Sequence, residues 1–249
     1  MIRGFINLNI KLSSLLEKLF AFEKNDAVLL NDFFDGFDKT TTVADIGGGK
    51  KPAKCLIDRK KCDVEIYDGY DIDMKELCQA KEHYDNIYKT DLTDISDELL
   101  VKKYDKIICL NTLEHVDDAT KSIDILAHML NQGGSIYLKL PCKHAVFAKL
   151  NLALPQEIKK KILHFIFPHK SGDGFKVIYD KSSPKEYIKM LEDVGFEIEE
   201  IRLIKWSSYF SFFFPLYVVW RLITVVQNSV IDDYCESFEI VARYRKYKC

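Results

Sequence analysis

Several short runs in this chain place chemistry-bearing residues where a buried segment ends. Val43-Ala44-Asp45-Ile46 is a β-prone run that closes on Gly47-Gly48-Gly49. Glycines in that position let the backbone turn sharply and approach a ligand closely. Asp45 is placed either to anchor the loop or to accept a hydrogen bond from that ligand. Asp71, in Gly69-Tyr70-Asp71-Ile72-Asp73, stands at the end of the next β-prone run, where a carboxylate can accept from both hydroxyls of a ribose. Asp91-Leu92 follows a third run and offers a carboxylate to an amino group on a ring. A fourth run ends in Asn111-Thr112-Leu113-Glu114-His115, and His144 follows a fifth. Histidine titrates near neutrality, so His115 and His144 are both candidates to take a proton from an acceptor.

These residues need a scaffold that brings strand ends to one edge. Strands are expected over 41–46, from Val64 to about residue 70, over 86–89, over Asp105 to Leu110, over Ser135 to Leu140, over 196–203 and over Ser237 to Tyr244. Helical spacing marks 8–24, 26–35, 74–83, 117–130 and 184–194, the last opened by Ser183-Pro184 and stopped by Gly195. Asp105-Lys106-Ile107-Ile108-Cys109-Leu110 reads as a strand covered on both faces. Strands alternating with helices imply a doubly wound parallel sheet, an α/β protein. Its ligands sit beyond the carboxyl ends of the strands.

The length, 249 residues, suits one large α/β domain with a core of its own. The formal net charge of −2 supplies no basic field, so no nucleic-acid partner is expected. Cys55, Cys62, Cys78, Cys109, Cys142, Cys235 and Cys249 are odd in number and show no C-x-x-C spacing. That argues against a zinc ribbon and a disulfide framework, and for a reducing, cytoplasmic setting. No signal peptide is expected in the first residues, because Asn7, Asn9, Lys11 and Glu17 interrupt the apolar run.

Taken in order, 43–49, 69–73, 90–92, 104–116 and 131–141 resemble the class I S-adenosylmethionine-dependent methyltransferases, closest to the small-molecule branch typified by ubiquinone-pathway enzymes. The similarity resumes over 184–204. It implies a Rossmann-like, mostly parallel seven-stranded sheet with an antiparallel last strand, and S-adenosyl-L-methionine as cofactor. Carried over by position, Gly47, Gly48 and Gly49 would approach the methionine part. Asp71 with Ile72 would hold the ribose, Asp91 and Leu92 would frame the adenine, and Asn111 would lie under the sulfonium. A dehydrogenase is disfavoured, since Pro52 occupies the third glycine position of G-x-G-x-x-G. Some relatives hold a metal with Glu-x-x-Glu-His; here Asn111 replaces the first carboxylate, so no metal is expected.

A narrower similarity, to a branch associated with bacterial surface polysaccharides, rests on Pro141-Cys142-Lys143-His144-Ala145, Asn151, Leu154-Pro155, Phe167-Pro168, Gly174-Phe175, Tyr179-Asp180 and the aromatic run Ser207 to Tyr217. It implies a saccharide or its phosphoryl decoration as acceptor, in capsule or O-antigen biosynthesis. A quinone or other lipid-like acceptor is the alternative, and a non-catalytic cofactor-binding scaffold a further one. The whole chain is read as a single domain: a helical cap over 1–40, a cofactor-binding core over 41–141, and acceptor-side insertions at 142–181 and 206–231. The insertions carry apolar stretches at 145–168 and 209–226, expected to come together as an acceptor lid, a homodimer interface or a peripheral membrane contact at the inner face.

Overall fold

The computed structural model describes residues 2–19, 28–57, 63–155, 157–158, 176–205, 207, 210–231 and 233–245. Residues 159–168 of the first apolar stretch, Gly174-Phe175, Tyr209, Cys62 and Cys249, and the tail of the expected first helix beyond residue 19 lie outside them.

Seven strands form one sheet: β1 (Thr42–Ile46), β2 (Ile66–Asp71), β3 (Ile87–Lys89), β4 (Tyr104–Leu110), β5 (Leu130–Pro141), β6 (Phe196–Ile204) and β7 (Ser237–Tyr244). Their order is β3-β2-β1-β4-β5-β7-β6. The first five pair in parallel, with Ile46 beside Tyr70 on one side and Cys109 on the other. β7 runs against its neighbours: Cys142 N donates to Glu236 O at 3.0 Å at one end, and Arg245 N donates to Gly195 O at 2.8 Å at the other. The sheet is therefore mixed, with the antiparallel last strand that the resemblance implied. Chain order reverses at β1 and β4, and such a switch point opens a crevice at the strand ends.

The helices are α1 (Ile2–Leu19), α2 (Val28–Asp35), α3 (Met74–Gln79), α4 (Asp97–Leu100), α5 (Ala119–Met129), α6 (Val146–Ala153), α7 (Pro184–Asp193) and α8 (Phe214–Val230). Asp73 caps α3 by accepting from Lys75 N, and Asp118 caps α5 by accepting from Lys121 N. Pro184 and Pro215 stand in the first turns of α7 and α8, where a missing N–H costs nothing. β5 begins five residues before the expected Ser135, because Leu130 already pairs with Tyr104 across a register irregularity.

The chain folds into two compact units. One holds α2 to α5, α7 and nearly all of the sheet. Leu29, Leu30, Phe33 and Phe34 of α2 pack there with Val43, Tyr67, Ile108 and Tyr137 in one buried cluster. The other unit holds α1, α6 and α8, and described residues of the two apolar stretches meet in it: the Phe147 and Phe210 rings lie 6.4 Å apart. Its helices meet through polar side chains. Asn9 Oδ1 accepts from Phe214 N at 2.8 Å, Ser13 Oγ donates to Ser211 O at 3.3 Å, and Tyr217 OH donates to Glu17 at 2.8 Å. Among the described residues no helix is long and apolar enough to cross a membrane.

Candidate active site

The sheet unit opens a cleft of about 390 Å³ at the carboxyl ends of its central strands. That volume lies in the range that takes a small organic ligand. β1 contributes Ile46 and Gly47, β2 contributes Tyr70, Asp71 and Ile72, and the turn after β3 contributes Thr90 to Thr93. From β4 onward come Asn111, Thr112, His115, Val116 and Asp117. Seven residues singled out in the sequence thus share one cavity: Gly47, Asp71, Ile72, Asp91, Leu92, Asn111 and His115.

The glycine loop is held in place from behind. Gly47 has φ +71°, its N–H donates to Tyr70 O at 2.6 Å, and a Cβ there would overlap the Thr112 side chain. Thr112 is itself fixed by its hydroxyl, near Ile46 O at 3.2 Å and Leu110 O at 3.1 Å. Gly48 and Gly49 do not line the cleft. A Cβ on Gly48 would press to 2.7 Å of the Asp45 carboxylate, and one on Gly49 would meet Asp71 Oδ2 at 3.1 Å. Asp45 is 1% exposed and lies beneath the loop, outside the cleft lining. It accepts from Ala53 N at 2.7 Å and from Tyr67 OH at 2.8 Å. Its carboxylate therefore anchors the loop, the first of the two roles its position allowed. Burial pushes its pKa up to about 6, against those two hydrogen bonds.

Asp71 is half-buried at the end of β2, and its Oδ1 accepts from Asp73 N at 2.8 Å. Burial, then the nearby Glu76 and Asp73 carboxylates, raise its pKa against that bond. Lys50, in the loop after Gly49, is paired with Glu76 at 2.7 Å. Asp91 forms a tight turn in which Oδ1 accepts from the Thr93 hydroxyl at 2.7 Å and Thr93 N at 2.8 Å, holding its pKa below the usual carboxylate range. Leu92 is buried beside it. Asn111 takes the left-handed conformation, φ +51°, and its N–H donates to Lys139 O of β5 at 2.8 Å. Asparagine tolerates this region better than most residues, and such strain gathers at functional sites.

Past Asn111 the chain makes a 3₁₀ turn, Leu113–His115. Glu114 points inward, 5% exposed, with Oε2 lacking a hydrogen-bond partner among the described residues; burial pushes its pKa up to about 8. Its backbone carbonyl accepts from Ile178 N at 2.8 Å and Tyr179 N at 3.0 Å. This pins the stretch that brings Lys176 and Ile178 to the cleft, a contribution no sequence pattern announced. Asp180 fastens the same stretch by accepting from Ala119 N at 3.0 Å. His115 Nδ1 lies 2.8 Å from Lys176 O. A carbonyl can only accept, so the neutral ring carries its proton on Nδ1 and its lone pair on Nε2. His144, half-buried, stands between β5 and α6 in the helical unit and is not part of the cleft lining. Among the described residues no group of three or more His, Cys, Asp or Glu is placed to hold a metal ion.

The donor set fits S-adenosylmethionine better than a dinucleotide. Among the described residues, Asp71, Asp91 and Asp117 line the cleft with Lys176 as the one lysine or arginine. An acidic wall suits a ligand whose sulfonium and ammonium leave it net positive, and repels a pyrophosphate. Asp71, with carboxylates rather than a cation around it, has acceptor capacity for neutral hydroxyls. Gly47 leaves no side chain between the loop and the ligand.

Comparison with known proteins gives the same fold. The chain superposes on a chain of the complex between the Haloferax volcanii Trm112 methyltransferase activator and a methyltransferase, with 14% identity, TM-score 0.60 and 97% of both chains covered. It also matches a SAM-dependent methyltransferase from Archaeoglobus fulgidus, with 17% identity, TM-score 0.53 and coverage of 92% of this chain and 98% of that one. The 4+2 cyclase SpnF shares the fold too, at 14% identity and TM-score 0.55, over 90% of this chain and 86% of that one. No curated protein matches the sequence. Residues 11–201 match the methyltransferase domain family, most of the chain and every strand of the cleft. The chain belongs to the methyltransferase domain family, and it is an enzyme of S-adenosylmethionine-dependent methyl transfer.

Proposed function

We propose that this methyltransferase O-methylates a saccharide hydroxyl, or the phosphoryl decoration of a saccharide, in the biosynthesis of a bacterial surface glycan such as capsule or O-antigen. The observation that carries the reading is the set of polar side chains in the cleft lining from β4 onward: Asn111, Thr112, His115, Asp117 and Lys176, alongside Val116 and Ile178. A hydroxyl-rich acceptor matches that lining better than a flat apolar one. The similarity of 141–155 and of Tyr179-Asp180 to polysaccharide-associated methyltransferases supports the same acceptor class. Thiols at Cys55, Cys78, Cys109, Cys142 and Cys235 suit a cytoplasmic place of action. A lipid-like acceptor such as a quinone is the second reading, favoured by the aliphatic side chains exposed on α1 and α8.

When bound, the cofactor supplies a methyl group on a positively charged sulfur, activated for in-line displacement. The chain supplies alignment and proton management. Asp71 accepts from the ribose hydroxyls, Asp91 and Leu92 bracket the adenine, and Asn111, fixed to β5, sets the floor near the reacting end. His115 Nε2 takes the proton of the acceptor hydroxyl. Lys176 O holds the ring by Nδ1 and stabilises the imidazolium that results. His144, the other histidine candidate read from the sequence, lies outside the cleft lining and serves as the comparison variant.

The test is turnover, followed as S-adenosylhomocysteine release with nucleotide sugars and lipid-linked glycans as acceptors. His115→Gln is expected to lower kcat by roughly 10²–10⁴ while cofactor affinity stays unchanged. Normal turnover in His115→Gln and in His144→Gln, at every pH tried, would remove the base from the mechanism. Uptake of methyl by quinones and by no saccharide would favour the second reading.

A further inference from the structure

The helices of the second unit are built inside out. On α8 the buried face is Tyr217, Trp220, Arg221 and Thr224, spaced by three and four. The outward face is aliphatic: Leu216, Val219, Leu222, Ile223, Val226 and Val230 are all exposed, Leu222 at 63% and Val230 at 75%. On α1 the buried positions are Asn9 and Ser13, whereas Phe5, Leu8, Leu12, Leu15 and Leu19 are exposed. Their 3-4-3-4 spacing draws one apolar seam along the helix, about 21 Å long from Phe5 to Leu19 at 1.5 Å per residue. The seams adjoin where the Phe5 and Phe213 rings lie 6.3 Å apart, both exposed. An aqueous helix pair does the reverse. It buries its aliphatic side chains and leaves Asn, Ser and Glu to water.

The charges say what covers this face. Among the described residues of α1, α6 and α8, every exposed charged side chain is a lysine: Lys11, Lys18 and Lys149. Glu17 is engaged by Tyr217, and Arg221 is buried. Lys11 and Lys18, two turns apart, fall on one edge of the α1 seam. The whole chain is net negative at −2, so this surface is opposite in sign to the molecule's net charge. Aliphatic side chains along a helix axis, with lysines at the margin, are what a helix needs to lie in the headgroup layer of an anionic bilayer. A second copy of the chain fits poorly. It would set lysine row against lysine row, with no exposed acid among the described residues of these helices to meet it.

We infer that α1 and α8 form a membrane-docking face that lies in the plane of an anionic phospholipid surface, with their aliphatic seams toward the acyl chains. Neither helix spans, and the docking does not depend on the methyl acceptor. Were the acceptor lipid-linked, which rests on the methyl-transfer reading above, docking would hold the enzyme where that acceptor resides.

Co-sedimentation of the full-length protein with phosphatidylcholine vesicles, with and without phosphatidylglycerol, tests this. Binding is expected to the anionic vesicles only and to weaken with salt. Lys11→Gln and Lys18→Gln are each expected to weaken it roughly fivefold. Leu15→Glu with Val226→Glu, at sites 54% and 62% exposed, is expected to abolish it without changing thermal melting. Cofactor calorimetry on the same proteins reports separately on the methyl-transfer reading. The inference is overturned by absence of binding to anionic vesicles or by binding that survives Leu15→Glu/Val226→Glu. It is equally overturned if light scattering finds a dimer that this variant converts to monomers, which would make the face an interface between copies.

Discussion

Asp71 illustrates how a single side chain is tuned by what is missing around it. Burial and the Glu76 and Asp73 carboxylates disfavour its charge, and Lys50 is already committed to Glu76. A ligand that donates hydroxyls relieves this. Asp71→Asn keeps the shape and removes the charged acceptor, a loss of about 1.5–3 kcal/mol. S-adenosylmethionine affinity is expected to fall by at least tenfold with the fold intact, and calorimetry showing unchanged binding would unseat the assignment. The sequence made such residues legible because each ends a strand with a turn. It could not show which way Asp45 faces, since that depends on Tyr67 in the neighbouring strand. Nor could it announce Lys176, which reaches the cleft through backbone bonds to Glu114, with no period or motif of its own.

At the scale of elements, the β1 loop is the most constrained piece of the site. Gly47 combines a left-handed φ with contact against a fixed Thr112 side chain, whereas Gly133 has φ +81° and nothing within 4 Å of its missing Cβ. Gly47→Ala should therefore destabilise by more than Gly133→Ala, roughly 1–3 kcal/mol from the strained φ alone plus the overlap, and should also impair cofactor binding. Thermal melting of both variants, with calorimetry, measures the contrast; equal losses would mean the Thr112 contact yields freely. The central strands and α7 were readable because long apolar or 3.6-spaced runs leave few alternatives. The start of α1 was not, since its first turn carries no acidic residue to mark a helix N-terminus. α8 begins at Phe214, five residues beyond the start of its apolar run, where Pro215 can occupy the first turn.

For the molecule as a whole, the buried carboxylates set a direction for stability against pH. Asp45 and Glu114 have folded-state pKa values raised from 3.8 to about 6 and from 4.5 to about 8, and Glu236 is also raised, all chiefly by burial. A raised carboxyl pKa means the folded state holds a proton that the unfolded state has released. Stability from that proton is present below the unfolded pKa and fades as pH rises through the folded one, by about 1.4 kcal/mol per pH unit for each group inside its window. The melting temperature is thus expected to decline from about pH 5 to about pH 8. Glu114→Gln, which mimics the protonated acid, should flatten that decline, and a wild-type midpoint that climbs over the same interval would contradict the assignment. The partition into two units also has a bearing on synthesis. Asn9 of α1 and its partner Phe214 are 205 residues apart in the chain. At translation speeds of about 5–20 residues per second, α1 leaves the ribosome roughly 10–40 seconds before its partner helix is made. Throughout that interval Asn9, Ser13 and Glu17 lack the partners they have in the finished fold, while the leucine seam is exposed both before and after α8 is made.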